Sequence, residues 1–272
     1  GCHRKFKEEK HMVVQHNLTA MNTQRQLNIT TGVQSKVTEQ LSSGYKINRA
    51  ADDAAGLTIS EKMRSQIRGL TQASANAEDG VSCVQTAEGA LAEVHDMLQR
   101  MNELAVKSAN GTNTTADRVA IQKEINALVS EVNRVSQSTQ FNTLNLLDGS
   151  FTGKFLQVGA ANKTEQTIKI SIKAMNAAGL GIASLKDPSL DKTSTATLVT
   201  QTGAKSAISL ITKAIAQISS QRSSLGAIQN RLEHTINNLD NIVENTPAAE
   251  SAIRDTDMAA AMVQFSTSNI IA

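Results

Sequence analysis

Few side chains in this chain stand where they could carry out chemistry. His16, His95 and His234 are far apart in sequence, no H-E-x-x-H pair occurs, and no Ser or Cys sits in a nucleophile motif. Gly179-Leu180-Gly181 has two of the glycines of a phosphate loop but lacks the third and the βαβ setting, so it reads as an ordinary loop. Asp52-Asp53 supplies two carboxylates without the further spaced oxygens that a cation needs, and a pair at a helix start is the better account. Cys2 and Cys83 are the two cysteines, too few for a metal cluster, and Cys83 reads as a small buried helical residue. These positions predict no enzyme, no cofactor and no metal site.

The sequence is organised instead around packing. Leu70, Ala73, Ala77, Gly80, Val84, Ala87, Leu91, Val94, Leu98, Met101 and Ala105 follow alternating steps of three and four, an unbroken heptad seam. Such a helix rises 1.5 Å per residue and runs roughly 50 Å. Its Ala and Gly let neighbours approach closely but bury little area each, so the helix needs several partners along its length. Aromatics are 2% of residues, with no Trp, one Tyr and five Phe, which leaves aliphatic helix seams to bury surface.

Around that seam the other elements fall into order. Val14, Leu18, Met21, Val33, Val37 and Leu41 outline a first, thinly apolar helix that has too little apolar area to fold alone. Ser42-Ser43-Gly44 and Asn48 to Asp53 form a polar break, and Ser108-Ala109-Asn110-Gly111 stops the long helix. Ile121, Ile125, Leu128, Val132 and Val135 mark a third helix folded back antiparallel. Phe141 to Leu147 leads into a hairpin signal at Asp148-Gly149, and residues 155–158 and 168–172 read as short strands. Residues 177–202, with Pro188, read as a linker. Ile211, Ile215, Ile218, Leu225, Leu232, Ile236, Leu239 and Val243 resume a helix that Pro247 ends, and Ile253, Met258, Met262, Phe265 and Ile270 begin a last one. The predicted fold is mainly α, a long antiparallel coiled-coil bundle or rod built from both chain ends, with a small β-hairpin element in the middle.

Residues 1–11 look foreign to the rest and are read as a translated ribosome-binding leader before Met12. Setting them aside removes four of the 27 basic and two of the 25 acidic residues, and the balanced remainder argues against a nucleic-acid partner. No stretch suits membrane insertion, and no secretory signal block follows Met12, which by itself suggests a cytosolic protein.

Leu41-Ser42-Ser43-Gly44-Tyr45-Lys46-Ile47-Asn48-Arg49-Ala50-Ala51-Asp52-Asp53-Ala54-Ala55-Gly56 closely resembles the bacterial flagellin amino-terminal signature. Residues 69–74 and 88–91 support the likeness, as do 222–231 and 253–258 in the carboxy-terminal half. The resemblance implies a structural subunit that polymerises with itself into the helical flagellar filament. It also implies export outside the cell without a cleaved signal, in place of the cytosolic reading, with an export chaperone and a filament cap as partners. Asn-x-Thr triplets such as Asn110-Gly111-Thr112 then carry no glycan meaning.

The implied organisation is a leader at 1–11, an assembly helix at 12–55, the inner rod domain at 56–176, a linker at the usual outer-domain insertion site at 177–202, the carboxy-terminal rod helix at 203–247 and the start of the terminal assembly helix at 248–272. The sequence stops about six helical turns, at 3.6 residues each, before family members do, which predicts that it polymerises poorly as it stands. Val14, Leu18, Met21, Val33, Val37, Leu41, Met262, Phe265 and Ile270 are the expected assembly residues. Leu70, Ala77, Val84, Leu91, Val94, Leu98, Met101, Ile125, Leu128, Val132, Leu225, Leu232, Ile236 and Leu239 are the expected rod core. Residues 98–106 resemble the segment bound by the flagellin-sensing Toll-like receptor of animals, which implies Gln99, Arg100, Leu104 and Glu124 as contacts on a face off the seam. The alternatives are a hook–filament junction protein and a secreted coiled-coil adhesin or translocator.

Overall fold

The computed structural model describes residues 17–187 and 198–271. Val14, His16, Pro188 and the leader segment lie outside the described residues. Five α-helices are present among the described residues, α1 Leu18–Ser43, α2 Ala54–Ala109, α3 Thr115–Ser138, α4 Gln201–Arg254 and α5 Met258–Ile271. Two antiparallel hairpins stand between α3 and α4, formed by β1 Gln140–Phe141 with β2 Leu144–Asn145 and by β3 Lys154–Gln157 with β4 Thr167–Ile170. The chain divides into two compact units at Ser65/Gln66 and Asn245/Thr246.

In the larger unit, residues 66–245, the core follows the heptad seam. Ala73, Ala77, Gly80, Val84, Ala87, Leu91, Val94, Leu98, Met101 and Ala105 are all buried, and Leu70 is half-buried at the seam's edge. Ser74 donates to Asp240, Arg222 pairs with Glu88, and Gln201 donates to the Ala109 carbonyl, so α4 lies antiparallel to α2 in steady register. The facing residues of α4, among them Ile211, Ala214, Ile218, Leu225 and Leu232, repeat the three-four spacing. Small size matters at Gly80: a Cβ there would collide with Leu156 Cδ1, so the bare backbone admits a β3 side chain against the helix.

Several expectations need correction. The inner face of α3 is turned from the anticipated one: Val129 is fully buried with Ile121, Ile125 and Val132, whereas Leu128 and Val135 pack only partly. It is turned because Gln122 and Ser136, both polar, occupy inner positions and bond to loop carbonyls. The tight turn of the first hairpin is Asn142-Thr143, both at positive φ, where the two-residue turn matches the strand twist. Asp148 instead folds its carboxylate onto the Ser150 amide and hydroxyl. The expected linker is core at its described ends, since Ile182, Leu185, Leu198 and Val199 are buried. Pro247 lies inside α4 rather than ending it. Its one missing donor is tolerated because Glu250 accepts from Ser60 and Arg254 pairs with Glu61, which hold the following turns helical.

In the smaller unit, α1 and α5 pair. Thr256 N–H donates to the Gly44 carbonyl and Gln34 reaches Asn269, so the two helices run antiparallel. Val37, Thr30, Ala261 and Ser268 are buried between them.

Candidate functional site

Two surfaces carry the candidate residues. The first belongs to the smaller unit and begins with the polar break between α1 and α2. Gly44 caps α1 at φ 75°, a left-handed conformation that suits glycine. Tyr45 then bridges to Asp255, and Lys46 N–H donates to the Arg254 carbonyl at 2.7 Å. The Arg254 guanidinium lies 4.6 Å from the Tyr45 ring centroid and donates to Glu61 at 2.9 Å. The Arg254 hydrogen bond, and after it the charge of Arg64, lower the Glu61 pKa.

Asp52 and Asp53 divide the work between them. Asp53 caps α2 by accepting from the Ala55 and Gly56 amides, as expected of a helix-start carboxylate. Asp52 pairs with Lys36 at 3.0 Å and accepts from the Asn48 and Arg49 amides. Its pKa is lowered, first by the Lys36 bond. The signature segment is thus a set of clamps that turns the backbone from α1 into α2.

With the turn fixed, α1 and α5 cover each other on one side alone. Leu18 is 70% exposed, Met262 51% and Ile270 86%, and Met21, Ile29, Val33, Val263 and Ile271 are exposed with them. Phe265 and Leu41 are half-buried. Val37, expected among the assembly residues, is buried between α1 and α5 instead, because it faces the partner helix.

The second surface is a groove of about 650 Å³ between α2 and α3 in the larger unit. Arg100 donates through Nε and Nη2 to one Glu124 oxygen, at 3.0 and 2.9 Å, and through Nη1 to Glu103 at 3.1 Å. The two carboxylates raise the Arg100 pKa, Glu124 the more strongly. Gln99 is exposed and bonds to His95 Nε2. Leu104 does not stand on this outer face: it is 3% exposed and forms the groove floor with Ile121. The third helix packs on that side of α2, so the apolar stripe there is wider than the heptad seam. Glu103, outside the expected set, belongs to the charged cluster, and its position three residues after Arg100 is the signal that could have identified it.

Among the described residues no group of three or more His, Cys, Asp or Glu is placed to hold a metal ion. No helix among them is long and apolar enough to cross a membrane.

Long seamed helices, with an unpaired apolar layer made from both chain ends, define a structural protein built to associate, and comparison with known proteins agrees. Residues 14–152 match the bacterial flagellin N-terminal helical region, and residues 208–272 match the bacterial flagellin C-terminal helical region. A flagellin of Halalkalibacterium halodurans is 49% identical, over 96% of this chain and 92% of its own length. The flagellar filament 31.3 kDa core protein of Treponema maltophilum is 45% identical over the same shares. The crystal structure of Bacillus cereus flagellin superposes with a TM-score of 0.51 at 26% identity, covering 61% of this chain and 88% of that one. The chain belongs to the bacterial flagellin family, and is a structural subunit of the flagellar filament.

Proposed function

We propose that assembly of this subunit into the filament runs through the exposed apolar faces of α1 and α5, drawn from the two chain ends. The observation that carries this reading is the set of apolar side chains left exposed on a two-helix layer, Leu18, Met21, Ile29 and Val33 on α1 with Met262, Val263, Ile270 and Ile271 on α5. Side-by-side subunits cover it, and contacts of the head-to-tail kind propagate without closing into a ring. The subunit leaves the cell without a cleaved signal peptide, accompanied by an export chaperone, and is added beneath a filament cap. Family membership at both ends favours this reading over a hook–filament junction protein or a coiled-coil adhesin.

Hydrogen exchange tests the assembly face. Amides of α1 and α5 exchange fast in the free subunit and slowly in filaments, while amides around Leu91 to Met101 are slow in both. Equal exchange of α1 and α5 in the two states would contradict the reading.

The α2–α3 groove is the proposed contact for the animal flagellin-sensing Toll-like receptor. Support comes from the likeness of residues 98–106 to the recognised segment and from the exposed Arg100–Glu124–Glu103 cluster, whose guanidinium is already oriented by two carboxylates. Leu104 contributes as floor, by positioning Arg100 above it. Arg100→Ala is expected to weaken receptor binding by about tenfold or more, the behaviour of a central arginine anchor. Unchanged affinity in a titration would remove the assignment.

A further inference from the structure

We infer that Asn110-Gly111, at the turn between α2 and α3, is a site of spontaneous succinimide formation that converts Asn110 to aspartate and isoaspartate. The reaction needs a nucleophilic backbone nitrogen after an asparagine, freedom to bring that nitrogen to the asparagine Cγ, and access for water. All three meet here.

The α2 helix ends at Ala109, so the Gly111 nitrogen lies beyond the helical ladder, and among the described residues its N–H donates to no partner. Asn110 and Gly111 are both exposed, and the space where a Gly111 Cβ would stand is open, with Gln201 Nε2 the nearest atom at 4.0 Å. Asn110 Oδ1 accepts from the Thr112 amide at 3.5 Å, which folds the side chain forward over the intervening nitrogen and polarises its carbonyl.

The other loop asparagines after α1 lack that freedom. The Thr114 nitrogen after Asn113 donates to Asp117 in the α3 capping box, and the Asn113 side chain is bent back onto the Lys107 carbonyl. The Arg49, Leu146, Lys163 and Ala177 nitrogens, each following an asparagine, donate to Asp52, Thr139, Ala161 and Asn133. Asn142 is followed by β-branched Thr143, which crowds the approach. The Asp-Gly pairs are also disfavoured. Gly80 sits within the α2 ladder, and the Asp148 carboxylate is held ionised by Ser150.

The chemistry balances with water alone. Base removes the Gly111 amide proton, the nitrogen forms a bond to Asn110 Cγ, and the Cγ–Nδ2 bond of Asn110 breaks to release ammonia. Water then opens the ring at one of its two carbonyls, giving aspartate or, through the other, an isoaspartate whose backbone carries an extra methylene. The new carboxylate belongs to the residue whose backbone carbonyl already accepts from Arg118 Nη2 at 3.1 Å. Lys107 and Asn113, three residues to either side of Asn110, line the Arg100 groove, so the conversion adds charge to the turn that joins them.

The test is incubation of the folded protein in mildly alkaline buffer, followed by peptide mass mapping and methyl transfer with an isoaspartyl methyltransferase. The Asn110 peptide gains the mass difference between Asn and Asp and accepts methyl groups, faster than any other asparagine peptide. Gly111→Ala slows this conversion by about tenfold, because a Cβ narrows the backbone freedom the ring closure needs. A parallel sample in urea releases the tied nitrogens, and Asn113 then converts as well. The inference is overturned if Asn110 stays intact in the folded protein while converting in urea, or if Gly111→Ala converts at the parent rate.

Discussion

Gln122→Leu lowers the unfolding free energy of the protein by about 2–5 kcal/mol, from the loss of partners to buried backbone groups. The Gln122 side chain is fully enclosed among helices and loop. Its amide nitrogen donates to the Leu185 carbonyl at 2.7 Å and to Asn126 Oδ1 at 2.9 Å, and its oxygen accepts from the Leu198 amide at 2.8 Å. Asn126 continues the ladder to the backbone of Asp187. Ser108 donates to the Leu198 carbonyl at 2.6 Å. Leucine fills much the same volume, so the effect is not a cavity. It is the stranding of a buried N–H and a buried C=O at both sides of one loop. Urea unfolding followed by circular dichroism measures the change, and a loss below about 0.5 kcal/mol, ordinary for a surface site, would contradict this role for Gln122.

The second large effect is on assembly. Met21→Asp combined with Met262→Asp leaves the folded subunit nearly untouched, within about 0.5 kcal/mol, because both side chains are exposed in it. On the proposed assembly face, each methionine is covered by a neighbour in the filament. Burying one contributes about 1.5–3 kcal/mol, so losing two raises the concentration needed for polymer by about a hundredfold to ten-thousandfold at 1.4 kcal/mol per factor of ten. A buried aspartate adds its own desolvation cost.

Much of the fold was legible because heptad spacing is a property of residue positions alone. Every seam residue from Ala73 to Ala105 is buried as the three-four pattern requires. The turned face of α3 has one cause, which is that polar residues enter the core when a distant segment satisfies them. Gln122 and Ser136 lie outside the apolar spacing of α3, and the loop carbonyls they bond account for their burial. Residues 177–202 read as linker because Gly, Ser and Thr outnumber the few apolar side chains that anchor its ends. Pro247 carries a strong local signal against helix, and side-chain contacts that local signals do not contain outweigh it.

The candidate surfaces were partly legible for the same reasons. Arg100 and Glu124 are 24 residues apart in sequence, and only antiparallel packing of α2 and α3 brings them to 2.9 Å. Leu104 was misplaced because a heptad names one inner stripe, whereas a helix with two partners has a wider one. For α1 and α5, a thin apolar pattern was enough to indicate helices.

Electron microscopy of cells whose only flagellin carries the paired Met21→Asp and Met262→Asp changes tests the assembly face most directly, with the culture medium assayed for released subunit. Assembly through α1 and α5 predicts bare cells, folded subunit free in the medium and no swimming. Filaments of ordinary length on those cells would contradict it.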